Sequence, residues 1–199
     1  MKLIISDYNR KKITEILKIY REIRKASEVF EKENHVFCPE GCGFCCNSTE
    51  VDGTILGALP LAHFLLKISD NKTINSILEK LNDLDERSPC FFFRKDSDID
   101  WKGRCSVYKY RLLVCRLFGF YRRKDKHGKY ITGTCRILKN NYHSFDSKNC
   151  IAPGIADFST RFTSIGSDSE TKLIPINLAI KNAIEYLQFD MMKEALKRQ

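Results

Sequence analysis

Four cysteines stand within nine residues, Cys38, Cys42, Cys45 and Cys46 in the run CPEGCGFCC, and that density of sulfur points to a metal site. Thiolate is a soft, anionic ligand for zinc, iron and iron-sulfur clusters. The two-residue gap of Cys42-Gly-Phe-Cys45 lets one tight turn aim both sulfurs at one centre. Gly41 and Gly43 free that turn, because a missing side chain permits positive φ and close backbone approach. Adjacent Cys45 and Cys46 do not easily point at one small centre, so one of them is expected to serve a second site or to cap a cluster from another side.

Cys90, Cys105, Cys115, Cys135 and Cys150 bring the count to nine. A disulfide framework favours an even count in a small secreted domain, and neither condition is met. The opening MKLIISDYNRKK has only a short apolar run and lacks the h-region of a signal peptide. No apolar stretch is long enough to span a bilayer. The expected setting is a reducing cytoplasm, with no membrane partner, where clustered cysteines bind metal or catalyse.

The residues around the cysteines fall into expected classes. Arg104, Arg111 and Arg116 lie near the later cysteines, where cations would stabilise thiolates and sulfide, or else form surface charge. His35 abuts the loop as a candidate ligand or a donor to one, whereas His63, in an apolar run, reads as a core or edge histidine. Cys150 has no spacing partner and reads as a small buried hydrophobe. Phe91, Phe92, Phe93, Phe118 and Phe120 read as core around the site. There is no acid-base pair, nucleophile triad or phosphate loop that would support catalysis directly.

A chain of 199 residues, 43% hydrophobic and 30% charged, suits one compact domain, taken here as 1–199. The formal charge of +9 counts every thiol as neutral. Eight thiolates on two zinc ions would leave about +5, and one 4Fe-4S centre on four thiolates about +7. The remaining excess favours an acidic partner, a protein, nucleotide or RNA, although no recognition helix or aromatic-basic RNA motif is present.

The elements that must position the sulfurs are legible from periodicity. Ile13, Ile16, Leu17, Tyr20, Ile23 and Phe30 predict a long amphipathic helix over 10–33 that ends at Asn34-His35 and carries and covers the site. Glu50 to Gly53 reads as a turn, and 54–67 as a helix started or interrupted at Pro60. Ile74, Ile77, Leu78, Leu81 and Leu84 stripe a short helix capped at Asp70-Asn71. Residues 91–93, 106–108, 117–121 and 129–132 read as brief strands, with a hairpin turn at 125–128. A last helix over 175–198 is striped by Ile176, Ala179, Ile180, Ala183, Ile184, Leu187 and Met191. The expected class is mainly α, with an irregular cysteine-rich middle and short β-strands, the helices bracketing a metal-binding core. Roughly 70 residues with little regular structure would need metal ligation to hold them.

Cys42-Gly-Phe-Cys45-Cys46, then Cys90 followed by aromatics, Gly103-Arg104-Cys105-Ser106-Val107-Tyr108, Arg111 to Cys115-Arg116, and Cys135 together resemble the YkgJ-type CxxCxxCC family, described as zinc- or iron-chelating. The resemblance spans about 10–140. It departs in a first gap of three residues instead of two and in Leu112 where a proline is usual. It implies eight metal ligands: Cys38, Cys42, Cys45, Cys46, Cys90, Cys105, Cys115 and Cys135, with Cys150 outside the set. Some relatives in that family resemble the flagellin lysine methylases, which carry this domain with further sequence and are linked to an iron-sulfur cluster, so the resemblance allows an enzyme without demanding one. The spacing Cys38-x3-Cys42-x2-Cys45 is similar to the cluster motif of radical S-adenosylmethionine enzymes, but the chain lacks the β/α alternation of their barrel.

Three functions follow as expectations. The first is a protein holding iron, as a 4Fe-4S cluster, or zinc, for structure, redox, storage or delivery. The second is an iron-sulfur enzyme of the protein lysine methylase kind. The third is a zinc-organised module binding an acidic macromolecule. Spacing and relatives together tilt the metal towards iron-sulfur.

Overall fold

The computed structural model describes residues 4–99, 101–142 and 150–198. The chain opens with α1 (Asp7–Asn34), whose N-cap Ser6 accepts the N–H of Asn9 through its side chain. Ile13, Ile16, Ile19, Tyr20, Ile23 and Phe30 are buried along one face, as the spacing of apolar residues predicts. The helix stops at His35, which takes the left-handed conformation (φ 52°) and donates its N–H to the Glu31 carbonyl. This releases the chain into the cysteine loop.

After a one-turn helix α2 (Phe44–Asn47), β1 (Asp52–Gly53) leads into α3 (Ile55–Ile68) and α4 (Asn71–Asn82). Asp52 and Gly53, expected in a turn, are extended because they pair antiparallel with β6 (Ile174–Pro175). Pro60 neither starts nor interrupts α3, which has Thr54 as its N-cap. A proline inside a helix costs about 3 kcal/mol. Burial of Leu56, Leu59, Leu61 and Leu65, each worth about 1.5–3 kcal/mol, outweighs it. Asp70 caps α4 by accepting the Thr73 N–H at 2.8 Å.

The middle is more ordered than the sequence suggests. It contains β2 (Phe93–Lys95) paired with β3 (Gly103–Cys105), a 3-10 turn (Tyr108–Tyr110), α5 (Leu113–Leu117), β4 (Phe120–Lys124) paired with β5 (Tyr130–Thr134), and α6 (Arg136–Asn141). Residues 106–108, expected as strand, turn into the 3-10 helix, and the strand expected at 91–93 begins at Phe93. The turn at 125–128 closes a hairpin as predicted, with Gly128 at φ 78° and Asp125 donating its N–H to the Lys129 carbonyl. The short helices α7 (Ile155–Thr163) and α8 (Asp168–Thr171) follow, and α9 (Ile176–Leu196) ends the fold.

The main core is the seam between α3 and α9, closed by α1 and by α5. Ile176, Ala179, Ile180, Ala183, Ile184 and Leu187 of α9 are all buried there. Among the described residues the strands form three two-stranded antiparallel pairs, so the β/α barrel of radical enzymes is not this architecture. The class is mainly α with short strands around a cysteine-rich middle, as the sequence implies. Among the described residues no helix is long and apolar enough to cross a membrane.

Candidate metal centre

The cysteine loop is held by backbone pairing to the β2–β3 hairpin. Gly43 donates to the Trp101 carbonyl at 2.8 Å, Gly103 donates to the Gly41 carbonyl at 2.9 Å, and Cys42 forms an isolated bridge with Lys102. Gly41 sits at φ 68°, where a side chain would be strained. Gly43 has a negative φ and is needed for space instead, because a Cβ there would lie 2.2 Å from the Phe93 ring. The two glycines serve the two purposes the sequence suggests, one each.

The remaining sulfurs arrive from other elements. Cys90 donates its N–H to the Cys46 carbonyl at 2.8 Å, which ties its segment to α2. Cys105 ends β3, Cys115 lies in α5, and Cys135 is the N-cap of α6, its N–H bonded to the Gly119 carbonyl. All nine cysteines are free thiols.

Eight of the nine converge on two adjoining cavities. The inner one, about 20 Å³, is lined by Cys45, Cys46, Cys90, Cys105 and Cys115, with Leu61, Ile176 and Ile180 as its apolar wall. The outer one, about 70 Å³, is lined by Cys38, Cys42, Cys45, Cys115 and Cys135. Cys45 and Cys115 face both. The sulfurs of Cys45 and Cys46 are 3.9 Å apart and both line the inner cavity, while Cys45 alone of the pair also reaches the outer one. Among the described residues no three Cys, His, Asp or Glu side chains are closed on one point as ligands. The thiols line the cavities as neighbouring groups.

Within the inner group, hydrogen bonding with Cys105 and Cys45, and then burial, hold the Cys46 thiol far above the usual range. Hydrogen bonding with Cys46 draws Cys45 and Cys105 down to about 7. Burial pushes Cys90 up to about 11 and raises Cys115 further. In the outer group burial, and then Cys42, push Cys38 up to about 12, and burial also raises Cys135. Eight thiols gathered on two adjoining cavities are a donor set that fits a thiolate-binding metal.

Arg111 lines both cavities, and its buried Nε–H has no hydrogen-bond partner. Its guanidinium stacks 3.6 Å from the centre of the Tyr108 ring. Arg116 lines the outer cavity, donates to the Arg111 and Lys109 carbonyls at 2.8 Å and sits over the ring of Tyr20. Arg104 is exposed and pairs with Asp96, so of the three arginines it alone reads as surface charge.

His35 is an exposed helix cap and His63 is half-buried within α3; among the described residues no histidine lines either of the two cysteine cavities. Cys150 belongs to a separate apolar cluster with Phe30, Val36, Phe120, Leu138 and Ala152, against which Cys135 also packs. Cys150 is half-buried there rather than fully buried. Two residues placed at the site have no signal in the sequence. Glu31, in the last turn of α1, brings a carboxylate to the outer cavity, and burial raises its pKa. Asn177, in the first turn of α9, bonds to the backbone around Cys90.

A family model described as a candidate zinc- or iron-chelating domain, CxxCxxCC, matches residues 37–143, more than half of the chain. It takes in all eight cysteines of the two cavities and stops short of Cys150. Neither a search of curated proteins nor a search of solved structures gives a match.

Proposed function

We propose, from the premise that this chain belongs to the CxxCxxCC family, that it binds zinc or iron through Cys38, Cys42, Cys45, Cys46, Cys90, Cys105, Cys115 and Cys135. One observation carries the reading: sulfurs from five separate parts of the fold line two adjoining cavities, and the cysteine outside the family pattern lines neither. Bound zinc or iron would supply positive charge to a thiolate cluster and fix the middle segment in place. The protein's own residues supply the thiolates, the apolar wall that excludes water and the arginine charge beside them.

We read residues 1–199 as one working unit, because Ile176 and Ile180 of α9 help to wall the inner cavity. Metal holding for structure, redox, storage or delivery is the reading we favour over catalysis. Apart from thiols, Glu31 is the one carboxylate that lines either cavity among the described residues, and no histidine does. An iron-sulfur enzyme of the lysine methylase kind would require binding of S-adenosylmethionine by the metal-loaded protein. The test of the main reading is elemental analysis of protein purified without oxygen. Near-stoichiometric zinc or iron is expected, lost on Cys42→Ser or Cys45→Ser, and a metal-free wild type sinks it.

A specific observation favours a second property alongside the first, binding of an acidic macromolecule. A cleft of about 440 Å³ between α4 and the β2–β3 hairpin is lined by Lys72, Lys80 and Arg94 with Thr73, Ser76 and Ser106. Among the described residues no acid lines it, and Phe92 and Val107 line both it and the inner cysteine cavity. Salt-sensitive retention on RNA or an acidic peptide, weakened by Lys72→Glu with Lys80→Glu, is the expected result. Unchanged retention removes this property.

A further inference from the structure

We infer that the eight cysteines hold two adjoining ions, each in a site of four sulfurs, with Cys45 and Cys115 at the boundary and Arg111 as the cation common to both. This rests on the metal-binding reading above.

The partition of the sulfurs carries the inference. Cys46, Cys90 and Cys105 line only the inner cavity, and Cys38, Cys42 and Cys135 line only the outer one. Three private sulfurs on each side and two at the boundary supply two tetrahedral sets, leaving no thiol over. A single ion could use about four of the eight and would leave the rest as unligated thiols beside it. The inner cavity, about 20 Å³, is on the scale of one small occupant, as a water-sized probe sphere fills about 10–15 Å³. The outer, about 70 Å³, is larger, but the two are set apart by Cys45, Cys115 and Arg111, which line both. That division suits separate ions better than one bulky cube of iron and sulfide.

Arg111 completes the electrostatics. Eight thiolates on two divalent ions carry a net negative charge that a largely buried site must offset. The guanidinium is placed where it faces both groups, fixed by its stack on Tyr108. Its Nε–H is a buried donor without an acceptor, and thiolate sulfur on either side would be one. Arg111 is therefore a positioning residue for the ligands, through charge and a hydrogen bond, and does not touch the metal.

The test is a cobalt(II) titration of the reduced, metal-free full-length protein under anaerobic conditions, followed by displacement with zinc and by assay for acid-labile sulfide. Thiolate-to-cobalt charge-transfer absorbance should rise through two equivalents per chain, and protein purified with its metal should contain no sulfide. Cys90→Ser should lose one equivalent and keep the other, and Cys38→Ser should do the reverse. Arg111→Gln should weaken both equivalents about tenfold or more, and Arg111→Lys should recover part of that loss. The pH at which half the metal is bound should move upward in Arg111→Gln, a change that loss of a merely structural stack would not produce. Melting of the metal-free variants separates folding defects from ligand effects.

Saturation at one equivalent, a four-iron cluster with sulfide, or loss of both equivalents in each cysteine variant overturns the two-ion assignment while leaving metal binding intact. A wild type that binds no cobalt, zinc or iron removes the metal-binding reading itself. Equal affinities in Arg111→Gln and wild type overturn the role of Arg111.

Discussion

Asn177 accepts the backbone N–H of Phe91 at 2.9 Å through its side-chain oxygen, and its amide nitrogen donates to the carbonyls of Pro89 and Ser88. One buried side chain in the first turn of α9 thus satisfies the backbone on both sides of Cys90 and fixes where its sulfur enters the inner cavity. Asn177→Leu leaves these groups unmatched, at about 1–3 kcal/mol. For a chain of this size each kcal/mol lowers the melting temperature by about 2–4 °C. Thermal melts of the metal-free and metal-loaded forms should both fall. An unchanged melt in the metal-free protein would show that the clamp contributes nothing.

Metal-coupled folding separates the cysteines by place. Cys42→Ser and Cys45→Ser should lower metal content and loosen the segment between the loop and α6. Cys150→Ser should do neither, because Cys150 packs against the apolar cluster of Phe30, Phe120 and Leu138 and lines neither cavity. Equal melting temperatures and equal metal content in all three variants would defeat the assignment.

Thiol reactivity gives a map of the metal-free state. Hydrogen bonding with Cys46 draws Cys45 and Cys105 down to about 7. Cys90 is pushed up to about 11 by burial. Alkylation of reduced, metal-free protein, read by mass spectrometry between pH 6 and 8, should label Cys45 and Cys105 ahead of Cys90, the gap opening as pH rises through about 7. Added zinc should protect all three. Faster labelling of Cys90 than of Cys45 contradicts the hydrogen bonding in the inner group.

The two loop glycines should respond unequally to alanine. At Gly41 the added methyl meets open space, and the cost is the left-handed backbone alone, about 1–2 kcal/mol. At Gly43 the methyl would meet the Phe93 ring at 2.2 Å, so the loop and the hairpin must separate. Gly43→Ala should therefore destabilise more than Gly41→Ala and reduce metal content, whereas the reverse order in a denaturant series would refute the close approach.

Sequence periodicity shows what a helix buries, and for that reason α1, α3, α4 and α9 are legible, as the β4–β5 hairpin is from its turn, while the one- and two-turn helices between them are not. Ile74 and Leu81 are buried on α4, with Ile77, Leu78 and Leu84 packed partly against the core, and that stripe is visible in the sequence. The β2–β3 hairpin is not, since Phe93 and Cys105 are matched across a loop by pairing and not by alternation within either strand. A capping box of Ser167 and Glu170 opens α8, but one turn of helix has no apolar stripe to announce it in the sequence. For the site, residue type announced the eight sulfurs, but their division into two groups depends on which cavity each element faces. Glu31 and Asn177 were illegible because a carboxylate in a charged helix and an amide in an apolar one mark no function until the fold places them.

Lys12 and Glu170 form a buried ion pair at 2.7 Å that joins α1 to α8, with the Lys12 ammonium also over the ring of Tyr8. Burial alone would lower the lysine pKa, but the hydrogen bond and charge of Glu170 outweigh it and raise it. Burial alone would raise Glu170, and the bonds from Lys12 and Ser167 bring it below the ordinary carboxylate range. The sign of each contribution follows. The Glu170 contribution is present above the usual carboxylate pKa and is lost as pH falls through the depressed one; the Lys12 contribution is present below the usual lysine pKa and is lost as pH rises through the raised one. Stability should thus hold across the neutral range and fall at both ends. Lys12→Met alone leaves a buried carboxylate unpaired and should cost about 3–5 kcal/mol at pH 7, whereas Lys12→Met with Glu170→Leu should recover most of that loss. In the double variant the acid-side loss of stability should begin at lower pH than in the wild type. Denaturant unfolding of the single and double variants between pH 3 and 8 checks both outcomes, and a double variant no more stable than Lys12→Met would show that the pair is not the source of the cost.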